Sequence, residues 1–107
     1  MTVSSLREHL SLKVLSEGTD QEIASCYISD LLSRVMGGCG AGDVWITVQS
    51  SMNAVAVAVL ADASCVILAE GVMAPDDVIA RAKEEELSLF TSGDSAYDLA
   101  RKIASLI

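Results

Sequence analysis

The sequence predicts a single α/β domain with a mostly parallel sheet and flanking helices. Three apolar runs of the kind found in strands recur at nearly even spacing, at residues 44–48, 64–68 and 87–91. Parallel neighbours need a crossover of roughly a dozen residues or more, and both intervals between these runs are long enough for a helix. A length of 107 residues allows one hydrophobic core, so residues 1–107 are expected to form one domain.

The composition describes the core and excludes two classes of partner. Just over half of the residues are apolar but few are aromatic, so the core must be built mainly from Ala, Val, Leu and Ile. Fifteen acidic against seven basic side chains give a formal charge of −8, which repels both a phosphate backbone and an anionic membrane surface. The basic residues are scattered, so neither nucleic acid nor a membrane is an expected partner.

The amino-terminal part is predicted to hold a short helix and two extended segments. A serine at residues 4–5 can cap the helix, which should end near residues 9–10. In residues 12–15 apolar and polar side chains alternate weakly, which is typical of a strand. Residues 17–20 are a plausible turn, and residues 23–28 form the next extended run.

A second helix follows that extended run. The serine and aspartate at residues 29–30 supply its cap, and the glycines after Met36 should end it. The glycine-rich residues 37–42 follow a helix and precede a strand, whereas phosphate-binding glycine loops have the reverse context. We interpret them as a helix stop and turn, with a ligand-contacting loop as the alternative. The apolar residues of this helix are Leu31, Leu32, Val35 and Met36.

Residues 52–63 can be interpreted in two ways, because alternating Ala and Val also suits a strand. We predict a helix here, since the segment lies between two runs that resemble buried parallel strands. Without a helix, their connection would be a long apolar loop. Ser50 or Ser51 provides the signal for the start of the helix.

Two helices are predicted in the last third of the chain. Pro75 suits the first position of one helix, and the two aspartates that follow it are favoured by the helix dipole. Arg81 and Glu85 are spaced one turn apart and can form an ion pair. The last helix begins near Asp94 or Ser95 and has a clear apolar face.

The cysteines and the hydropathy pattern indicate a reducing, cytoplasmic location. Cys26, Cys39 and Cys65 are widely separated and are accompanied by one histidine, His9, so neither a disulfide framework nor a zinc site is predicted. We interpret the thiols as buried and structural, with a redox role as the alternative. The first residues lack the apolar stretch of a signal peptide, and the longest apolar run, residues 54–61, is too short to cross a bilayer.

The candidate binding site lies in the loops expected at the carboxyl ends of the three strands, because α/β sheets bind ligands at that edge. Backbone N–H groups and hydroxyls there can hold a carboxylate or a phosphate. The alternative is that the serines are only helix caps. The candidate residues are Gln49, Ser50, Ser51 and Asn53 in the first loop, Glu70 and Gly71 in the second, and Ser92, Asp94 and Ser95 in the third.

No residue set in the sequence matches a known catalytic pattern. Glu70 follows a buried-looking strand and can be a base or a ligand anchor, but no His, Lys or nucleophile stands at a recognisable spacing from it. Hydrolase, kinase and metalloenzyme motifs are absent. We therefore expect no catalysis, cofactor or metal, and keep a small enzyme that uses Glu70 and Asp94 as the alternative.

Three segments carry a resemblance to a known family. Residues 27–36 (YISDLLSRVM), residues 42–49 (GDVWITVQ) and residues 66–71 (VILAEG), with the apolar helix between the last two, resemble the DRTGG domain. The resemblance implies a fold similar to the amino-terminal domains of HPr kinase/phosphorylase and of MurF. It also implies an accessory, regulatory role, since such domains are attached to phosphotransacetylases and lie between CBS domains in regulated pyrophosphatases.

The residues that give the family its name are mostly replaced. The Asp-Arg pair falls at residues 50–51, and the Thr-Gly-Gly run falls at residues 69–71, where Gly71 is retained. The chain thus resembles a stand-alone member of the family. It also lacks the P-loop that HPr kinase chemistry needs.

Together these observations predict a non-catalytic regulatory or sensory module that binds a small metabolite, a nucleotide or a protein partner. A homodimer is expected because the helices are rich in Ala and Val and the chain is apolar for its size. A pure dimerisation or scaffold domain is a further alternative, and it differs in predicting no stabilisation by any metabolite.

Overall fold

A computed structural model describes all 107 residues as ten regular elements. The helices are α1 (Val3–Leu10), α2 (Leu32–Gly38), α3 (Met52–Ala61), α4 (Asp76–Glu84) and α5 (Ala96–Ala104). The strands are β1 (Lys13–Ser16), β2 (Cys26–Ile28), β3 (Val44–Thr47), β4 (Cys65–Leu68) and β5 (Leu89–Thr91). No helix is both long enough and apolar enough to cross a membrane.

The five strands form one sheet in the order β1-β5-β4-β3-β2. Strands β2 to β5 are parallel to their neighbours, and β1 is antiparallel to β5. This topology confirms the predicted mostly parallel α/β fold. The carboxyl ends of β2 to β5 therefore lie at one edge of the sheet, and β1 begins at that same edge, because Lys13 lies opposite Thr91.

Helices cover both faces of the sheet. Helices α2, α3 and α4 pack on one face, and α1 and α5 pack on the other. Successive side chains of a strand point to opposite faces, so in β4 Val66 joins the first core and Ile67 the second. Every residue of β3, β4 and β5 is buried, as expected for parallel strands between two helical layers.

The ambiguous segment is a helix, as predicted. Ser51 caps α3 by accepting a hydrogen bond from the backbone N–H of Ala54 at 3.2 Å. Asp62 ends the helix in the left-handed conformation with φ of 57°. The apolar segment of alternating Ala and Val thus forms the crossover between β3 and β4.

Two predicted boundaries near the amino terminus were wrong. Helix α1 starts earlier than the serines, because Thr2 is its cap and accepts a hydrogen bond from the N–H of Ser5. The second strand is shorter than the predicted residues 23–28, because its first part pairs with the amino terminus instead of the sheet. Ile23 donates its N–H to the Met1 carbonyl at 2.8 Å, and Glu22 forms a bridge with Thr2.

The predicted start and end of α2 were also wrong. The helix begins at Leu32 without a side-chain cap, because the Asp30 carboxylate accepts hydrogen bonds from β3 instead. It continues through two of the glycines to Gly38. A Cβ atom at Gly38 would lie 2.5 Å from the Tyr27 hydroxyl oxygen, so only glycine allows Tyr27 to pack there.

The carboxyl-terminal helices agree with the predictions within one residue. Pro75 is the cap of α4 rather than its first residue. Arg81 and Glu85 form the predicted ion pair, with Nε and Oε1 separated by 3.4 Å. Ser95 caps α5 and accepts from the N–H of Asp98 at 3.1 Å.

Candidate functional site

The three candidate loops leave β3, β4 and β5 at the same edge of the sheet, as predicted. They do not converge on one crevice, because they turn toward different faces. The loop after β3 contacts the α2–α3–α4 layer, whereas the loops after β4 and β5 bind each other near the α1–α5 layer. The glycine-rich residues 37–42 precede β3, so they lie at the opposite edge.

The loop after β3 is held by the junction between β2 and α2. Asp30 Oδ1 accepts hydrogen bonds from Thr47 Oγ1 and from the Val48 N–H, both at 2.9 Å. Gln49 Nε2 donates to the Asp30 carbonyl at 2.9 Å. Because its polar groups form hydrogen bonds with Asp30, this loop connects the ends of β2 and β3, and we call this junction the clamp.

The cavity beside that clamp is too small for a metabolite. Gln49, Ser50 and Ser51 border it, and the rest of its lining is apolar. Its volume is about 10 Å³, which is on the order of one water molecule. Asn53 lies elsewhere, on the exposed side of α3. Gln49, Ser50 and Ser51 therefore border only this small cavity, whereas Asn53 lines a larger groove between α3 and α4.

The loops after β4 and β5 are joined through their backbones. Glu70 donates its N–H to the Asp94 carbonyl at 2.9 Å, and Gly71 donates to the Ser92 carbonyl at 2.8 Å. Both Glu70 and Gly71 are left-handed, with φ of 59° and 73°. That conformation is unfavourable for a residue other than glycine, and these two hydrogen bonds hold Glu70 in it.

A polar groove lies beside these joined loops, between the end of α1 and the outer side of α5. One part has a volume of about 540 Å³, and an adjoining part has about 320 Å³. Both parts contain Ser11 and Ser92, and we call them together the edge groove. Its polar and glycine lining consists of His9, Ser11, Lys13, Gly71, Thr91, Ser92, Gly93, Asp94, Lys102 and Ser105.

The edge groove carries more positive than negative charge, although the protein as a whole is strongly acidic. Lys13 and Lys102 line it, and Asp94 is the one acidic lining residue. Lys102 Nζ lies 2.7 Å from Asp94 Oδ2, and both side chains are partly exposed. This ion pair holds the lysine at the groove while its other two ammonium protons remain free to donate.

Other polar groups in the edge groove are oriented by local hydrogen bonds. His9 Nδ1 lies 2.9 Å from the Ser5 carbonyl; since a carbonyl only accepts, Nδ1 carries a proton, and Nε2 of that neutral tautomer is a hydrogen-bond acceptor. Ser92 Oγ accepts from the Asp94 N–H at 3.1 Å, so its hydroxyl proton is available. At Gly71 and Gly93, an added Cβ would meet no atom within 4 Å, so a ligand can approach their backbone closely.

Sequence reasoning missed the residues that α1, β1 and α5 contribute to the edge groove. They are His9, Ser11, Lys13, Lys102 and Ser105. The first three reach the carboxyl edge because β1 is antiparallel to β5, and no local sequence signal specifies that pairing. Lys102 follows Asp94 by eight residues. This spacing predicts a contact between the two side chains only when it is known that Ser95 caps α5 and that Lys102 lies within that helix.

The cysteines are all free and are poor nucleophiles. Burial raises the pKa of Cys26 and of Cys39 to about 11, and that of Cys65 to about 12. The neighbouring Asp43 carboxylate adds to the increase at Cys26 and Cys39. The thiols therefore stay protonated at neutral pH, which supports the structural interpretation. No group of three or more His, Cys, Asp or Glu side chains is arranged to hold a metal ion.

Comparison with known proteins shows a similar fold at low sequence identity. The structure is similar to the CBS and DRTGG domains of the regulatory region of Clostridium perfringens pyrophosphatase, solved in complex with its activator diadenosine tetraphosphate. The TM-score is 0.73 and the identity is 14%; the match covers 94% of this chain and 45% of that one. The chain thus spans less than half of that structure. No family model and no curated protein matches the sequence.

Proposed function

We propose that this protein is a non-catalytic regulatory or sensory module that binds a small anionic metabolite, such as a nucleotide, in the edge groove. The observation that carries the proposal is the presence of two lysines, Lys13 and Lys102, in one groove of a strongly acidic protein. An anion is favoured there over a neutral ligand, because ammonium donors form strong charge-assisted hydrogen bonds with phosphate or carboxylate oxygens.

The dimensions of the edge groove support a small molecule as the ligand. Its two parts, about 540 and about 320 Å³, are within the usual range of roughly 300–1,000 Å³ for metabolite sites. The groove also lies at the edge where α/β sheets usually bind ligands. Its rim is polar, which suits a charged group better than an apolar one.

A regulatory role is supported more strongly than the alternative of an enzyme. Asp94, one of the two carboxylates offered as acid and base, is engaged by Lys102, and Glu70 projects from an exposed turn. The structural neighbour belongs to a regulatory region and was solved with a nucleotide activator. That likeness concerns the fold, and it motivates the inclusion of nucleotides among the ligands to be tested.

Anionic ligands should raise the melting temperature of the wild-type protein. The screen comprises inorganic pyrophosphate, ATP, diadenosine tetraphosphate, acetyl phosphate and small carboxylates, each tested by thermal shift. A ligand present at 100 times its Kd stabilises the folded state by about 2.7 kcal/mol. We expect Lys102→Met to weaken binding of the best ligand about tenfold, because one charge-assisted contact is lost.

The matched control is Lys83→Met, which removes an exposed lysine of α4 on the other face of the sheet. This variant should bind the ligand like the wild type, because it changes the net charge equally without touching the edge groove. The proposal is wrong if no anion stabilises the wild type, or if both lysine variants weaken binding to the same extent.

A further inference from the structure

Helix α3 has an apolar outer side that no other element of the chain covers. Residues 44–61 contain no charged side chain. One side of α3 exposes Met52, Ala56, Val59 and Leu60, with Asn53 as its one polar residue. Leu60 is the most exposed of these larger side chains, at 72%. A helix that is apolar all round is normally buried on all sides, so the outer side of α3 has the composition of a contact surface.

The surface beside α3 is concave. A groove of about 400 Å³ separates the exposed side of α3 from α4, and it contains Val55 and Val59 on one wall and Arg81 and Glu85 on the other. The protruding Leu60 lines the same groove. The surface therefore offers both a projecting side chain and a recess, so the projection of one copy can fill the recess of another in a self-complementary two-fold interface.

The charges at the rim of this groove are also self-complementary. Arg81 Nε lies 3.4 Å from Glu85 Oε1, while the two terminal guanidinium nitrogens form no hydrogen bond within the chain. A two-fold axis that passes across α3 brings the rim of one copy to the rim of the other. Each free guanidinium edge can then meet the opposite Glu85.

We propose that the α3–α4 groove is the interface through which two copies of this chain form a symmetric dimer. The formal charge of −8 makes two copies repel each other wherever acidic residues face. The α3–α4 groove is an exception, because α3 is uncharged and the rim has one cation and one anion. Ala56 at the centre of the exposed side allows two α3 helices to approach closely.

Sedimentation equilibrium of the wild type over roughly 10 µM to 1 mM tests this interface, since a small interface corresponds to a weak, reversible dimer. We expect a monomer–dimer equilibrium for the wild type. Leu60→Asp should raise the dimer dissociation constant about 100-fold or more, because an unpaired charge is buried in each copy. Its circular dichroism should be unchanged, as the side chain is exposed.

The matched control is Tyr97→Asp, because Tyr97 on α5 is 73% exposed and lies on the other face of the sheet. This variant should dimerise like the wild type. A wild type that stays monomeric at 1 mM overturns the proposal, and the α3 surface would then belong to another partner. A dimer that tolerates Leu60→Asp, or that Tyr97→Asp disrupts equally, also overturns it.

Exchanging the charges of Arg81 and Glu85 shows whether these residues pair between two copies or only within α4. Arg81→Glu and Glu85→Arg should each weaken the dimer, because like charges then meet across the two-fold axis. Mixing the two variants should restore association as a heterodimer, in which every rim charge faces its opposite. If the mixture associates no better than either variant alone, the rim does not pair across copies and this interface is wrong.

Discussion

We expect Gly18→Ala to lower the free energy of unfolding by about 3 kcal/mol or more. Gly18 follows β1 and passes directly against the backbone of residues 86–88. A Cβ atom at Gly18 would overlap the Glu86 carbonyl and would lie 2.5 Å from the Ser88 backbone nitrogen. Both obstacles are backbone atoms, so no side-chain rotation can relieve the clash.

The clash would also break the hydrogen bonds that fasten the end of β1. The Thr19 N–H donates to the Glu86 carbonyl at 3.0 Å, and the Gly18 N–H donates to Ser88 Oγ at 3.1 Å. Urea unfolding followed by circular dichroism measures the loss. Gly37→Ala is the control, because nothing lies within 4 Å of an added Cβ there and alanine is favoured in a helix. A loss below about 1 kcal/mol for Gly18→Ala would contradict the described approach of the two backbones.

Trp45→Ala should destabilise the protein by about 3–5 kcal/mol. The side chain of Trp45 in β3 is fully buried in the core beneath α2, α3 and α4. Its Nε1–H donates to the Ser29 carbonyl at 2.9 Å, which ties the end of β2 to β3. The substitution therefore leaves a large cavity and removes the bond that positions the start of the α2 connection.

Two further variants separate these contributions of Trp45. Trp45→Phe keeps most of the buried ring and removes the hydrogen bond, so its loss should be clearly smaller than that of Trp45→Ala. Tyr97→Ala removes an exposed aromatic ring and should change the stability by less than about 0.5 kcal/mol. Circular dichroism is the appropriate probe, since Trp45 is the only tryptophan. Equal losses for Trp45→Ala and Tyr97→Ala would contradict the described burial of Trp45.

The parallel part of the fold could be predicted because its signals are local. The buried strands β3, β4 and β5 are mostly apolar runs, and the capping residues Ser51 and Ser95 mark the starts of α3 and α5. The helical interpretation of residues 52–63 depended on topology and on the start signal at Ser50 or Ser51, since alternating Ala and Val has no helical periodicity. The need for a crossover between the parallel strands β3 and β4 therefore outweighed the alternating pattern, which by itself also suits a strand.

The errors arose where a distant partner decides the local structure. Asp30 has the residue type of a helix cap, but its carboxylate accepts hydrogen bonds from Thr47, the last residue of β3, and from Val48, which follows it. Residues 22–23 pair with the amino terminus, so β2 is short. The lining of the edge groove was missed for the same reason, because it depends on the antiparallel pairing of β1 with β5.

The positions of the candidate loops were also only partly predictable, because contacts with distant residues decide them. All three were correctly expected at one edge, since this follows from parallel strands. Which face each loop turns toward depends on tertiary hydrogen bonds, such as those from Glu70 and Gly71 to the loop after β5. Of the nine candidate residues, Gln49 belongs to the hydrogen-bonded junction with Asp30, and Gly71, Ser92 and Asp94 line the edge groove. The others lie outside these two sets.

The most direct test of the edge groove is a titration of ¹⁵N-labelled protein with inorganic pyrophosphate and with ATP, followed by two-dimensional NMR. We predict that the largest amide shifts occur at Ser11, Gly71, Ser92 and Gly93, and that they weaken in Lys102→Met. The contradicting result is a set of shifts centred on residues 49–53 or on α3, or no saturable shift with either anion.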